Sequence, residues 1–197
     1  MNRRNKVLRN LLILAVLLPP AFFRSGLYLT PLSAHRHSER SIHYGPSQVV
    51  HIQDFEQGKY ILCKYDKWIS CNTVNQQWLF FWRFGNQVTG IENDPAKAVC
   101  YSWNQSYQYC KAYGILNDDR VKKIEITLSD GTILTQTDFY EDMFLLTWTS
   151  GTQNDMQDRD MERIRGYDSN NSVLYADSFS FSVLSPCVVR WKGRVSR

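Results

Sequence analysis

The four histidines lie close together and are the first candidates for chemistry. They are His35, His37, His43 and His51, all within seventeen residues of one another. The His35–His37 pair could supply two metal ligands, because imidazole nitrogens bind transition metals. The surrounding stretch HRHSERSIHYGP is polar and offers no obvious third ligand, so a solvated spacer is the simpler interpretation. We therefore predict no metal site and no cofactor.

The sequence carries no recognisable motif for nucleophilic or phosphoryl chemistry. There is no G-x-S-x-G elbow and no glycine-rich phosphate loop, although His51 on a predicted strand could meet a cysteine. Carboxylates near predicted strand ends could serve as acid and base in a hydrolase if two of them converged and one were desolvated. These candidates are Asp54, Asp66, Asp94, Asp138, Glu141 and Asp142. We predict no catalytic residue.

A second acidic run raises the question of calcium. It contains Asp155, Asp158, Asp160 and Glu162 within the stretch NDMQDRDMER at 154–163. The run lacks the alternating spacing and the central glycine of a calcium-binding loop. A loop or a short helical turn is the expected structure here.

Four of the five cysteines form two candidate pairs. Cys63 and Cys71 flank KYDKWIS, and Cys100 and Cys110 flank YSWNQSYQY, so each pair could face across a hairpin and form a disulfide. The alternative is that the four are buried thiols, which pack as small hydrophobes. Cys187 is left without a partner, and no C-x-x-C spacing suggests zinc or redox chemistry.

Aromatic side chains offer a candidate ligand surface. Trp68, Trp103 and Tyr107 could form an exposed concave patch for carbohydrate or peptide. The competing interpretation is core packing, since a buried aromatic removes about 150–250 Å² from water.

The N-terminus reads as a membrane-targeting signal. Arg3, Arg4, Lys6 and Arg9 precede the uncharged stretch Leu11–Phe23, which is shorter than the roughly 20 residues of a membrane span. The sequence LSA at Leu32–Ala34 is a poor cleavage site. We therefore expect a signal anchor over residues 1–34 that stays in place, with the basic end inside and the body on the extracytoplasmic side of the cell membrane.

The charge distribution argues against nucleic acid as a partner. Residues 1–40 carry a net charge of +6, residues 178–197 carry +4, and the intervening body carries −6. Phosphate backbones require clustered positive charge on the binding surface, which the body lacks. The basic tail, with Arg190, Lys192, Arg194 and Arg197, either touches anionic lipid or has no partner.

The body reads as a chain of short strands. Turn residues recur every 8–12 positions, and no convincing helical period appears, which is typical of an all-β antiparallel sandwich or partly open barrel of about ten strands. The clearest hairpin is RVKKIEITLSDGTILTQTDF, whereas WLFFWRFG at 78–85 is apolar on both faces, as in a central strand. We predict a polar linker at 35–46, one β domain at 47–177 and a tail at 178–197.

Several stretches together resemble a known group of proteins. They are TPLSAHRHSERSIHYGPSQVVH, YDKWIS, LFFWRFG, YGILNDDRVKKIEITLSDGT and IRGYDSNN, following the basic signal anchor. The combination is similar to small membrane-anchored proteins of Gram-positive bacteria that are known mainly as uncharacterised sequences. The resemblance covers residues 1 to about 177, is most specific at 113–137 and does not extend into the tail. It implies an extracytoplasmic β domain and no catalytic residue.

Two functional hypotheses follow from the sequence. The first is a non-catalytic binding or regulatory module at the cell envelope, which contacts an envelope protein or a cell-wall ligand. The alternative is an envelope hydrolase that uses the loop carboxylates. A purely structural role, with a sheet edge pairing to a partner strand, is a third and weaker interpretation.

Overall fold

The computed structural model describes residues 3–24, 26–85, 90–106, 108–150 and 159–178. Two helices and twelve strands occur among these residues, and the sheets are antiparallel, so the all-β prediction is confirmed at that level. The helices are α1 (Arg3–Arg24) and α2 (Pro31–Ser41). The strands are β1 (Gln48–Phe55), β2 (Gly58–Tyr65), β3 (Trp68–Gln77), β4 (Phe81–Phe84), β5 (Ile91–Glu92), β6 (Val99–Ser106), β7 (Tyr109–Leu116), β8 (Lys123–Leu128), β9 (Ile133–Gln136), β10 (Met143–Thr149), β11 (Met161–Tyr167) and β12 (Val173–Ser178).

The chain divides into two compact units. The first contains residues 1–47, 52–61 and 72–88, and the second contains residues 48–51, 62–71 and 89–197. The predicted domain at 47–177 therefore contributes to both units. Of the predicted tail, only Ser178 lies among the described residues, so Cys187 and the four basic residues fall outside them.

The strands form three sheets. One has the order β1-β2-β3-β4 with β5 also paired to β3, the second has the order β10-β7-β6, and the third has the order β12-β11-β8-β9. The second and third sheets belong to the second unit and share one hydrophobic core. Residues of β6, β7 and β10 meet residues of β8 and β11 in that core, which includes Phe144, Ile124, Ile126 and Ile164 at zero exposure.

The β8–β9 hairpin matches its sequence pattern. Side chains along β8 alternate between half-buried and fully buried positions, as the predicted period of two requires. The turn Ser129-Asp130-Gly131 places Gly131 at φ +81°, a conformation that costs glycine little. The Asp130 carboxylate accepts the Thr132 N–H at 2.9 Å, which fixes the return strand.

Gly58 is required by close packing of the backbone and not by a positive φ. It lies within β2 and is absent from the glycines with positive φ. A Cβ built at this position would lie 2.0 Å from the Val74 carbonyl oxygen. The glycine is thus required by the close approach of the β3 backbone.

The interpretation of residues 78–85 as a central strand is wrong. Only Phe81–Phe84 form a strand, and β4 lies at the end of its sheet. Trp78, Leu79 and Phe80, called here the hairpin tip, occupy the turn between β3 and β4 and are 79%, 78% and 66% exposed. Apolar composition alone does not distinguish a buried strand from an exposed apolar turn.

The Cys100–Cys110 disulfide is excluded by the register of the β6–β7 hairpin. Cys100 lies opposite Ile115, whereas Cys110 lies opposite Gln105. Five positions along a strand amount to about 16 Å, far beyond the reach of a disulfide. Cys63, Cys71, Cys100 and Cys110 are all buried thiols in the structure, which is the alternative that the sequence left open.

A single backbone bridge joins the segment after α1 to the edge of the first sheet. The Tyr28 N–H donates to the Trp82 carbonyl at 2.8 Å, and the Trp82 N–H donates to the Tyr28 carbonyl at 2.7 Å. The Tyr28 ring also lies near those of His37 and Phe84, at 5.1 and 6.4 Å between centroids. Within the described part of the chain, no helix combines the length and the apolar character that a membrane crossing requires.

Candidate functional site

Helix α2 lies where the sequence suggested a polar linker. Thr30 caps it, with extended backbone and a side-chain oxygen that accepts the Ser33 N–H at 3.1 Å. Pro31 follows at the first helical position, which its fixed φ favours. The predicted boundary at 34/35 therefore falls inside a helix.

The buried face of α2 is mostly polar, which explains why hydrophobic periodicity did not reveal the helix. Ala34, His35, Ser38 and Glu39 are buried, at the spacing of one helical face. The prediction that the histidine stretch is solvated is therefore wrong for His35, which is fully buried. The Thr-Pro cap was the available sequence signal.

Glu39 is the hub of a buried hydrogen-bond network. Its Oε1 accepts the Ser47 N–H at 3.2 Å, the Ser47 hydroxyl and the His35 Nε2–H at 3.2 Å. Its Oε2 accepts Arg36 Nη1–H at 2.9 Å, and the same Arg36 nitrogen donates to the Ser47 carbonyl at 2.7 Å. The carboxylate is only 2% exposed, and its donors replace the water that burial removed.

The partners of His35 define its protonation. Asn72 Nδ2 donates to His35 Nδ1 at 2.8 Å, so Nδ1 acts as an acceptor and the proton lies on Nε2, directed at Glu39. Desolvation lowers the pKa of His35, the Arg36 charge acts in the same direction, and Glu39 opposes both. The neutral imidazole therefore completes the hydrogen bonding of the buried carboxylate.

This arrangement resembles a nucleophile–base pair without functioning as one. Ser47 Oγ lies 3.4 Å from His35 Nε2, but that nitrogen carries a proton and has no lone pair with which to accept the hydroxyl hydrogen. Ser47 is also buried, so no substrate reaches its oxygen in this conformation. The hydrogen bonds of this network hold the residues before β1 against α2.

A cavity of about 480 Å³ lies beside this network. It is lined by Arg36, Glu39, Arg40, His43, Tyr44, Gly45 and Pro46. Two guanidinium groups face one buried carboxylate, so the lining carries a net positive charge when His43 is neutral. Gly45 is essential to the shape, because a Cβ would lie 2.9 Å from Glu39 Cδ and its φ is +95°. The cavity suits a small anionic ligand.

The predicted aromatic patch is not assembled among the described residues. Trp103 packs against the core of the second unit, and Trp68 is half-buried, with the Lys67 ammonium 5.9 Å from its ring centroid. Tyr107 lies outside the described residues. The exposed aromatic cluster is instead at the hairpin tip, which the sequence analysis assigned to a strand.

The candidate carboxylates are spread over exposed positions. Glu141 and Asp142 share the Lys64 ammonium, with Glu141 Oε2 at 3.0 Å, and both remain about half exposed. Asp54 forms an exposed ion pair with Lys59, and Asp66, Asp94 and Asp138 are exposed. His51, rather than meeting a cysteine, stacks on Tyr140 at 3.5 Å between ring centroids.

The calcium candidates are only partly described. Asp155 and Asp158 lie outside the described residues, and Asp160 and Glu162 lie at the start of β11. Among the described residues, no group of three or more metal-ligating side chains comes together.

A buried lysine is the second site that the sequence did not reveal. Lys111 in β7 is 2% exposed, and its ammonium nitrogen lies 2.5 Å from the Cys71 carbonyl oxygen. Burial lowers the pKa of Lys111 and raises the pKa of the Cys71 thiol, so each group favours its neutral form. Because the amine and the thiol are both fully buried, we interpret their contact as structural and not as catalytic.

We expect the substitution Glu39→Gln to lower the free energy of unfolding by about 2 kcal/mol, because an amide at this buried position accepts fewer of the hydrogen bonds that Ser47, His35 and Arg36 donate. Glu141→Gln is the control, since Glu141 is about half exposed and such ion pairs contribute about 1 kcal/mol or less. Denaturant unfolding measures both. Equal losses in the two variants would contradict the hub role of Glu39.

The lowered pKa of His35 makes stability depend on pH. Above about 6.5 both folded and unfolded chains carry a neutral His35. As pH falls below that value, the unfolded chain binds the proton first, so the free energy of unfolding decreases, by at most about 1.4 kcal/mol per pH unit. We expect His35→Asn to flatten this slope between pH 5 and 7 and the exposed His43→Asn to leave it unchanged. An unchanged slope in His35→Asn would contradict the assignment.

No protein-family model matches the chain, and neither a curated protein nor a solved structure matches it. What the chain binds is therefore inferred from its own contacts.

Proposed function

We propose that this chain is a non-catalytic binding module held at the outer face of the cell membrane, and that its ligand site is the cavity beside α2. The observation that carries the proposal is the pair of guanidinium groups, Arg36 and Arg40, on a cavity whose floor is fixed by the Glu39 network. Preorganised donors bind a ligand without an ordering cost.

The proposed ligand is a small anion of the cell envelope, with a carboxylate or phosphate group. Arg36 is held in place by Glu39 and the Ser47 carbonyl, and only its Nη1 is used in those bonds. A guanidinium has five N–H donors, so the remaining ones can pair with oxygens of the ligand in the planar geometry that carboxylates and phosphates match. Arg40 is exposed and supplies the second charge.

Membrane attachment is proposed through α1. The helix carries Arg3, Arg4, Lys6 and Arg9, and its large apolar side chains from Val7 to Val16 are between 50% and 70% exposed. A basic, apolar and exposed helix is typical of segments that bind anionic bilayers. The resemblance to small membrane-anchored proteins of Gram-positive bacteria supports an extracytoplasmic location for the rest of the chain.

The hydrolase alternative has weaker support. Its carboxylates would have to meet in one cleft with one group desolvated. Glu141 and Asp142 are neighbours, but both are ion-paired to Lys64 and about half exposed, so neither carboxyl group is desolvated. They suit a surface ion-pair cluster better than an acid–base pair.

Cell fractionation tests the location. We expect the full chain to sediment with membranes and protease added outside the cells to degrade the residues that follow α1. A version lacking residues 1–24 should leave the membrane fraction, because it loses the basic apolar helix. Recovery of the full chain in the cytosolic fraction would overturn the membrane part of the proposal.

Titration with small anions tests the ligand site. We expect glycerol phosphate or N-acetylmuramyl dipeptide to bind with an affinity that falls at high salt. Arg40→Gln should weaken binding by about tenfold, because it removes a charge-assisted hydrogen bond. The exposed Arg83→Gln serves as the control and should not weaken it. Absence of saturable binding by both anions, or equal effects of the two substitutions, would overturn the ligand assignment.

A further inference from the structure

Exposed apolar side chains are concentrated in the first unit. Of the sixteen large hydrophobic residues exposed among the described residues, thirteen belong to that unit and three to the second. Seven of the thirteen are on α1 and three form the hairpin tip. Such clustering marks an interaction surface, whereas single exposed apolar residues are ordinary.

The hairpin tip lies in an uncharged stretch of the chain. Residues 74–82 read VNQQWLFFW, without an ionisable side chain. Trp78 and Phe80 each set their rings edge-on to Phe81, at 5.9 and 6.3 Å between centroids. The Gln76 side-chain amide donates to the Leu79 carbonyl at 3.0 Å, and Trp78 adopts φ +53°. The turn is therefore built to present these side chains outward.

The backbone bridge places the tip close to the end of α1. Tyr28 is four residues beyond Arg24, the last residue of α1, and it pairs with Trp82, two residues beyond Phe80. An extended chain covers about 3.6 Å per residue, so Trp82 lies at most about 19 Å from the helix end, and Phe80, in the turn before β4, lies at most about 7 Å further. A bilayer that holds α1 is thus within reach of the tip. Leu29, next to the bridge, is also exposed.

We propose that the hairpin tip inserts into the lipid bilayer surface as a second membrane contact, a step that rests on the proposed attachment through α1. Trp and Phe favour the interface between headgroups and acyl chains. Arg83, three residues beyond the tip, is exposed and can meet lipid phosphate groups. Glu56 lies beside the tip at the β1–β2 turn, and Asp54 near it pairs with Lys59. These two carboxylates limit insertion to the tip itself.

Depth measurements with a fluorescent label test this proposal. The full chain, in a Cys187→Ser background with its other four cysteines buried, takes an environment-sensitive label at Leu79→Cys or, as control, at Ile133→Cys. Ile133 is a matched site because it is similarly exposed and lies in the second unit. Vesicles of phosphatidylglycerol and phosphatidylethanolamine are the probe, with acyl-chain quenchers that report depth.

We expect the label at position 79 to shift its emission to shorter wavelength and to be quenched from within the bilayer, while the label at 133 remains in water. If the chain sediments with vesicles and the label at 79 stays in water, the tip does not insert, while attachment through α1 stands. If the chain does not sediment, both proposals fail. If the label at 79 is shielded without vesicles and shielding grows with protein concentration, the tip docks on a second copy and the bilayer proposal is overturned.

Discussion

The carboxylate of Glu39 is the constraint on which the N-terminal part of the first unit depends. Removing a carboxylate from water costs several kcal/mol unless donors replace the solvent. Here the replacements come from the backbone and hydroxyl of Ser47, the ring of His35 and the guanidinium of Arg36. One side chain thereby joins α2, the turn before β1 and the wall of a cavity. The network fixes the geometry of this part of the unit. Removing one of its members leaves a buried polar group without its hydrogen-bond partner.

The second unit is held by different forces. Its two sheets bury a continuous apolar core, and the central positions of β7 and β8 are filled by side chains with almost no exposure. The stabilisation there scales with apolar area removed from water and does not depend on a single atom. Lys111 is the exception, since its side-chain amine is fully buried and its lowered pKa favours the neutral form. The two units thus differ in where they bury an ionisable group. Glu39 of the first unit lies beside a cavity, and Lys111 of the second unit lies within a sheet.

The sequence predicted the parts of the fold that local chemistry determines. The β8–β9 hairpin was recognisable because alternating apolar residues and a Ser-Asp-Gly turn specify both register and direction. Helix α2 was not predicted because its buried side chains include His, Ser and Glu, which produce no hydrophobic periodicity. The predicted disulfide between Cys100 and Cys110 is wrong because the pairing of residues depends on the register of the β6–β7 hairpin and not on the spacing of the cysteines.

The candidate site was beyond prediction for a related reason. Glu39, Ser47 and Asn72 are separated along the chain and come together around His35 only when the first unit folds, so no motif links them. The apolar run at 78–85 was misassigned because burial is a property of the assembled sheet. Whether Trp78 is buried or exposed depends on which other elements pack on it, and the local sequence does not contain that information.

The bridge between Tyr28 and Trp82 has a mechanical consequence. Tension that enters the chain through α1 reaches the first sheet at Tyr28, where two backbone hydrogen bonds form a single bridge instead of a ladder. A ladder loaded along its length shares the force among many hydrogen bonds, whereas the bridge at Tyr28 has two. We therefore expect this connection to yield before the strands of the sheet when the N-terminus is pulled.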